Sequence, residues 1–273
     1  MTANLYALGA IALWSTLASL GVALAHVPPF LLTGCALVIG SCAAWPAYRQ
    51  WRVPPATLAL GVYGLFGFHF LLFIALRHAP AVEANLVNYL WPLFIVLLAP
   101  LLLPGARWRP VHVAAALLGF AGAVLAVVGG RRLAGGFAWG YVAALASALI
   151  WSSYSLLTKR VAHFPTAAIG LFGLVSGLLA LGCHWLLEPA VRLSPRDWAL
   201  VALTGLGPLG AAFFLWDAAL KRGDPSTIGI LSYLTPLAST LLLVLTGNGR
   251  LTTSVAAAAV LIVGAAVIGM RAR

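Results

Sequence analysis

The chain has 273 residues, 63% of them hydrophobic and only 8% charged, with a formal net charge of +11. So few charges and a mean hydropathy of +1.03 exclude a water-soluble domain, whose surface they could not cover. The sixteen Lys and Arg stand in singles and pairs between apolar stretches, where they act as membrane anchors. They form no basic face for nucleic acid.

A hydrocarbon core of about 30 Å needs roughly 20 apolar residues per helix. That length predicts ten spans, near residues 3–25, 29–48, 56–77, 80–103, 110–129, 136–158, 166–187, 198–220, 225–246 and 252–271. The breaks fall at Pro28-Pro29, Pro54-Pro55, Pro80, Arg109-Pro110, Gly135-Gly136, Pro165, Ser194-Pro195 and Asp224-Pro225. Proline suits a helix start, where its missing N–H would be unpaired anyway. The opening MTANLYALGA lacks a basic n-region and a clear cleavage site, so the first stretch is expected to be a retained helix.

The first span carries Trp14, Ser15 and Thr16 at mid-depth. In the third, Gly61, Gly64 and Gly67 predict close helix packing, and His69 lies near the middle. The fourth holds Asn85, Asn88, Tyr89 and Trp91, with Pro92 and Pro100 expected to kink it. Glu83 begins that span within reach of Arg77 or His78. The sixth span repeats the polar cluster with Trp151, Ser152, Ser153, Tyr154 and Ser155, and Gly173 and Gly177 form a small-xxx-small pair in the seventh. Ser176 and His184 read as structural. In the eighth, Asp217 is placed to pair with Lys221 one turn on.

The segment Leu76–Leu93, LRHAPAVEANLVNYLWPL, then reappears at Leu220–Leu237 as LKRGDPSTIGILSYLTPL. Both copies carry Tyr-Leu-x-Pro-Leu, and Trp14-Ser15 matches Trp151-Ser152. Duplication around a midplane site is how many secondary transporters are built. The expected architecture is an all-α polytopic membrane protein of two five-helix repeats, 1–132 and 133–273, around a central cavity. Five is odd, so the two halves should sit in opposite orientations.

With the N-terminus inside, the inner loops and tail hold Arg49, Arg52, Arg107, Arg109, Lys159, Arg160, Lys221, Arg222, Arg271 and Arg273. The outer loops hold Arg77, Arg131, Arg132, Arg192, Arg196 and Arg250. Ten against six places both termini in the cytoplasm.

Formal charges keep to the helix ends, and the deep polar groups are neutral and amphipathic. The candidate site residues are His69, Trp91, Trp151, Asn85, Asn88, Tyr89, Trp14, Ser15, Ser152 and Tyr154, drawn from four helices. Tyr233 matches Tyr89 but has no polar neighbours, so it reads as packing. Hydroxyl, amide, imidazole and indole groups without fixed charge suit a substrate of no net charge that needs hydrogen bonds. A neutral amino acid fits, its ammonium meeting carbonyls and ring faces and its side chain an aromatic wall. Sugars and nucleosides stack on aromatics too.

No G-x-x-x-x-G-K-[ST] loop supports ATP drive. A membrane-embedded enzyme would need a nucleophile with its base or a metal cluster. H-E-x-x-H and G-x-S-x-G are both absent, and Ser176-Gly177 with His184 is the nearest approach. A channel would need a carbonyl filter or charged rings. Cys35, Cys42 and Cys183 lie in apolar stretches without metal spacing. No cofactor is implied. The expected partners are the lipid bilayer and a small neutral molecule, and the expected assembly is a monomer.

At these residues the chain resembles the drug/metabolite transporter superfamily, EamA type. The marks are the early Trp-Ser of each half, the duplicated third-to-fourth helix passage, and the closing glycine-rich helices FAGAVLAVVGG and LIVGAAVIGM. NLVNYLWPLFIVLLAPLL with His69 upstream is similar to its amino-acid exporters. The resemblance implies a ten-helix inner-membrane carrier with His69, Trp91 and Trp151 at the cavity wall. One departure stands out: many members carry an acidic residue after the fourth and ninth helices, where this chain has Pro104-Gly105 and Asn248-Gly249.

Overall fold

The computed structural model describes residues 2–128, 133, 136–246 and 252–271. Arg131, Arg132, Gly135, Asn248, Gly249, Arg250 and Arg273, all used above, lie outside the described residues. Ten helices are long and apolar enough to cross a membrane: Ala3–Ala23, Pro29–Trp51, Pro55–His78, Ala81–Leu102, Pro110–Val128, Gly140–Leu157, Ala168–Leu187, Pro195–Arg222, Pro225–Leu245 and Thr253–Arg271. No strand occurs among the described residues. The protein is a multi-pass, all-helical membrane protein.

Local chemistry sets where spans begin. The eighth starts at Pro195, three residues before the expected point. There Ser194 accepts from the Asp197 N–H, and Asp197 accepts in return from the Ser194 N–H at 2.9 Å. Such a reciprocal cap pairs two otherwise orphaned helix donors. The sixth starts at Gly140 rather than 136, because Gly136 takes a positive φ of 82° that a helix cannot continue through.

The interruptions are paired between the halves. The third and eighth spans each contain a five-residue π-helical turn, Tyr63–Gly67 and Gly207–Ala211, 144 positions apart (63 to 207). The fourth and ninth spans break at Tyr89-Leu90 and Ser232-Tyr233. Pro92 and Pro236 lie just beyond those breaks and cannot donate to the carbonyls of Asn88 and Ser232. The kink expected at Pro92 is therefore a full break, matched at Pro236 in the duplicated Tyr-Leu-x-Pro motif, while Pro100 stays inside a continuous helix.

Packing partners are paired in the same way. The second span packs on the seventh, the fifth on the tenth and the fourth on the ninth. The third packs on the sixth as the eighth packs on the first. Glycines allow the close approaches. Gly61 lies against the Phe172 ring, Gly64 against Tyr154, and Gly177 against the Gly34 carbonyl.

The two ends of the bundle are distinct. Ala3 lies against Gly223, and Gly269 near the other terminus lies against Ile230. Both termini therefore share one face with the ends of the sixth and eighth spans. On the opposite face Gly140, starting the sixth span, packs against Ala75 and Ala79 at the end of the third. There the Glu188 carboxylate, whose side chain is fully buried, accepts from Arg77 at 2.7 Å, His184 at 2.9 Å and the Phe30 and Leu31 N–H groups. Arg77 is thus engaged by Glu188, while Glu83 accepts from Tyr141. The expected Asp217–Lys221 pair forms at 2.6 Å, with Thr166 donating to the same carboxylate.

Candidate functional site

Trp14, Trp91 and Trp151 meet at the centre of the bundle, from the first, fourth and sixth spans. Their ring centroids are 5.9 to 6.4 Å apart and their planes 77 to 86° apart, an edge-to-face cluster favoured by the quadrupoles of the rings. Phe213 and Trp216 of the eighth span complete it: Trp216 lies 5.2 Å from Trp14 and 5.6 Å from Trp91, and Phe213 lies 5.6 Å from Trp151. His69 reaches it edge-on, 6.2 Å from Phe213, and Tyr154 packs 5.4 Å from Trp151.

A buried indole N–H needs a partner, and two here have one. Trp14 donates to the Pro208 carbonyl at 3.0 Å and Trp216 to the Ser155 hydroxyl at 3.1 Å. Pro208 belongs to one π-helical turn. The Leu65 carbonyl of the other accepts from His69 Nδ1 at 2.6 Å. Wide turns loosen the backbone ladder and leave carbonyls for side chains. Since a carbonyl only accepts, Nδ1 carries the proton, and Nε2 of the neutral ring is left as an acceptor.

The serines are held by backbone. Ser152 donates to the carbonyls of Trp91 and Ala148 at 2.8 and 2.6 Å, tying the sixth span to the broken fourth beside its tryptophan. Ser15 donates to Ala12 in its own helix, and the Ser15 carbonyl accepts from Ser239. Asn88 accepts from Ser147 at 2.8 Å, a second tie between those spans. Asn85 and Tyr89 are half-buried. Tyr233 is fully buried and its ring packs on Phe120.

Sequence reading missed Phe213 and Trp216, which look like ordinary apolar residues of a span. A signal existed, because the 144-residue offset of the duplicated segment carries His69 onto Phe213. Across the halves, Trp14 touches its counterpart Trp151 and His69 touches Phe213.

A small void beside the rings, among Leu37, Gly40, Leu65, Gly173, Leu209 and Phe213, measures about 10 Å³, room for about one water. Among the described residues no three His, Cys, Asp or Glu side chains cluster to hold a metal ion.

Residues 1–128 and again 138–270 each match the EamA-like transporter family. The chain belongs to that family. It is a transporter and not an enzyme, in keeping with the resemblance read from the Trp-Ser pairs and the duplicated passage. It is 44% identical to an aromatic amino acid exporter YddG of Ancylobacter novellus, over 98% of this chain and 96% of that one. It is 28% identical to the aromatic amino acid exporter YddG of Escherichia coli K12, over 88% and 87% of the two chains. A solved crystal structure of a protein 45% identical superposes with a TM-score of 0.93, covering 99% of this chain and 97% of that one.

Proposed function

We propose that this transporter exports neutral amino acids, aromatic and other apolar ones, across the bacterial inner membrane by alternating access. The observation that carries the reading is the ring cluster, built from both halves of the chain at the centre of the bundle. Transporters of repeated build place substrate at such a midplane junction. The names of the two exporters point to the same substrate class.

In this reading residues 1–132 and 133–273 are inverted repeats, and both termini are cytoplasmic. Two facts support the inversion: the first span starts on one face of the bundle and the sixth on the other, and spans pack in reciprocal pairs. Opening toward one face and then the other exposes the same residues. His69, Trp91 and Trp151 form the substrate wall with Trp14 and Tyr154, and Phe213 and Trp216 join them. Ser15, Ser152, Asn85, Asn88 and Tyr89 line or brace that wall. The substrate ammonium meets His69 Nε2 and ring faces, and its side chain replaces one indole edge with another aromatic contact.

The test is counterflow in proteoliposomes against a panel of amino acids, sugars and nucleosides, with Trp91→Phe, Trp151→Phe and His69→Gln in parallel. Each Trp→Phe change keeps most of the packing and should shift selectivity among neutral amino acids while the protein stays folded. Exchange of sugars or nucleosides alone would refute the substrate class. Variants that lose only thermal stability, with transport per folded molecule intact, would refute the site.

A further inference from the structure

The connection between the sixth and seventh spans and the end of the eighth enclose an open cavity of about 410 Å³. It lies on the face that carries both termini, away from the ring cluster. His163, Phe164, Pro165, Thr166, Lys221 and Arg222 line it.

Its walls are fixed by cations bonded to backbone. Lys221 Nζ donates to the Phe164 carbonyl at 2.8 Å and sits 3.9 Å from the centroid of that ring. The Asp217 carboxylate accepts from the same ammonium, so Lys221 is already matched in charge. Lys159 donates to the Gly223 carbonyl at 3.0 Å, closing the rim. Arg222 is braced by one bond from Nη1 to the Ala218 carbonyl at 3.0 Å and by the Tyr6 ring 5.0 Å away. Its remaining N–H groups are left for a ligand. His163 and Arg160 are exposed beside it. The nearby acid, Asp224, is engaged in capping Thr227. The cavity therefore offers the open donors of Arg222 beside a Lys221 already matched by Asp217.

Its depth identifies the occupant. Arg222 is the last residue of the eighth span and Ala168 the first helical residue of the seventh, so the cavity lies where spans end and headgroups begin. A guanidinium presents forked donors that match phosphate oxygens, and basic pockets between span ends are suited to anionic headgroups. We propose that this cavity binds a phosphate group, supplied by an anionic phospholipid headgroup. Arg222 and His163 donate to the phosphate oxygens, and Pro165 faces the glycerol.

The experiment is thermal unfolding of the purified full-length protein in detergent, titrated separately with phosphatidylglycerol, phosphatidylcholine and inorganic phosphate. Phosphatidylglycerol should raise the Tm saturably and phosphatidylcholine should not. In the double variant Arg222→Gln and His163→Gln, both at exposed positions, apparent affinity should fall by at least about fivefold, the worth of one arginine near the membrane surface. Arg192→Gln with Arg196→Gln, outside this cavity, should keep the full shift. Native mass spectrometry gives a second readout, in which bound phosphatidylglycerol is lost from the first variant and kept by the second. A saturable shift with inorganic phosphate alone, abolished by the first variant, keeps the site and assigns it to a soluble phosphate. An equal phosphatidylglycerol shift in both variants, or an equal shift with phosphatidylcholine, overturns the proposal.

Discussion

Replacing Gly64 with alanine tests whether the third and sixth spans rest against each other as described. A Cβ added at Gly64 would fall 2.2 Å from Tyr154 Cγ and 2.3 Å from Cδ2. Carbon atoms settle about 3.5–4.0 Å apart, so the ring would have to retreat by more than about 1 Å. It has little room. Tyr154 is buried and packs on Trp151, which itself abuts Phe68, Phe213 and Trp216. Overpacking of this kind costs about 1–3 kcal/mol. The better helix propensity of alanine returns up to about 1 kcal/mol. The expected net loss centres on about 1.5 kcal/mol, which at about 2–4 °C per kcal/mol lowers the Tm by roughly 3–6 °C. Gly67→Ala is the matched control: its nearest neighbour is Ile150 Cδ1 at 3.4 Å, an ordinary contact, so its Tm should hold or rise. Thermal unfolding of the two variants side by side decides the matter. A Gly64→Ala protein as stable as the parent would refute the packing of Tyr154 against the third span.

At the opposite face, Arg77→Ala would remove one of four donors to the buried Glu188 carboxylate, while Glu188→Ala would strand two backbone donors. Glu188→Ala should lower stability by about 3 kcal/mol and the half-exposed Arg77→Ala by about 1 kcal/mol, and a Glu188→Ala loss below about 1 kcal/mol in denaturant titrations would show the cluster to be ornamental. Transport should run without obligatory proton coupling, because the deep groups of the ring cluster are neutral and the acidic position of the wider family is Pro104-Gly105 here. Flux down an amino acid gradient should therefore persist in vesicles with no pH difference or potential. Accumulation that needs an imposed proton gradient, and that His69→Gln alone removes, would reverse this reading.

The spans were legible because apolar length is written directly in composition, and the duplication because Tyr-Leu-x-Pro-Leu survives in both copies. The meeting of Trp14, Trp91, Trp151 and His69 was legible from their shared mid-span depth, where indoles are unusual. Other parts were not readable. The break at Tyr89-Leu90 resets the helical face between Asn88 and Trp91, which continuous periodicity cannot anticipate. Phe213 and Trp216 look like lipid-facing residues until the offset between halves is applied. Glu188 gathers donors from more than 100 residues away, a contact that no local pattern encodes.

The two π-helical turns have a consequence for how the halves are keyed. A wide turn amounts to one extra residue in a helix, and one residue rotates everything downstream by about 100°. His69 follows the first such turn by two positions and Phe213 follows the second by two. Each insertion therefore acts as a clocking pin, setting the azimuth of the half-helix that ends at His78 or Arg222 independently of the half that precedes it. Excising one residue from either turn would leave hydropathy and length nearly unchanged, yet would swing imidazole or phenyl away from the axis toward a neighbouring helix or the lipid. With the same pin in both copies, the symmetry of the centre depends on two residues that contribute no side chain to it.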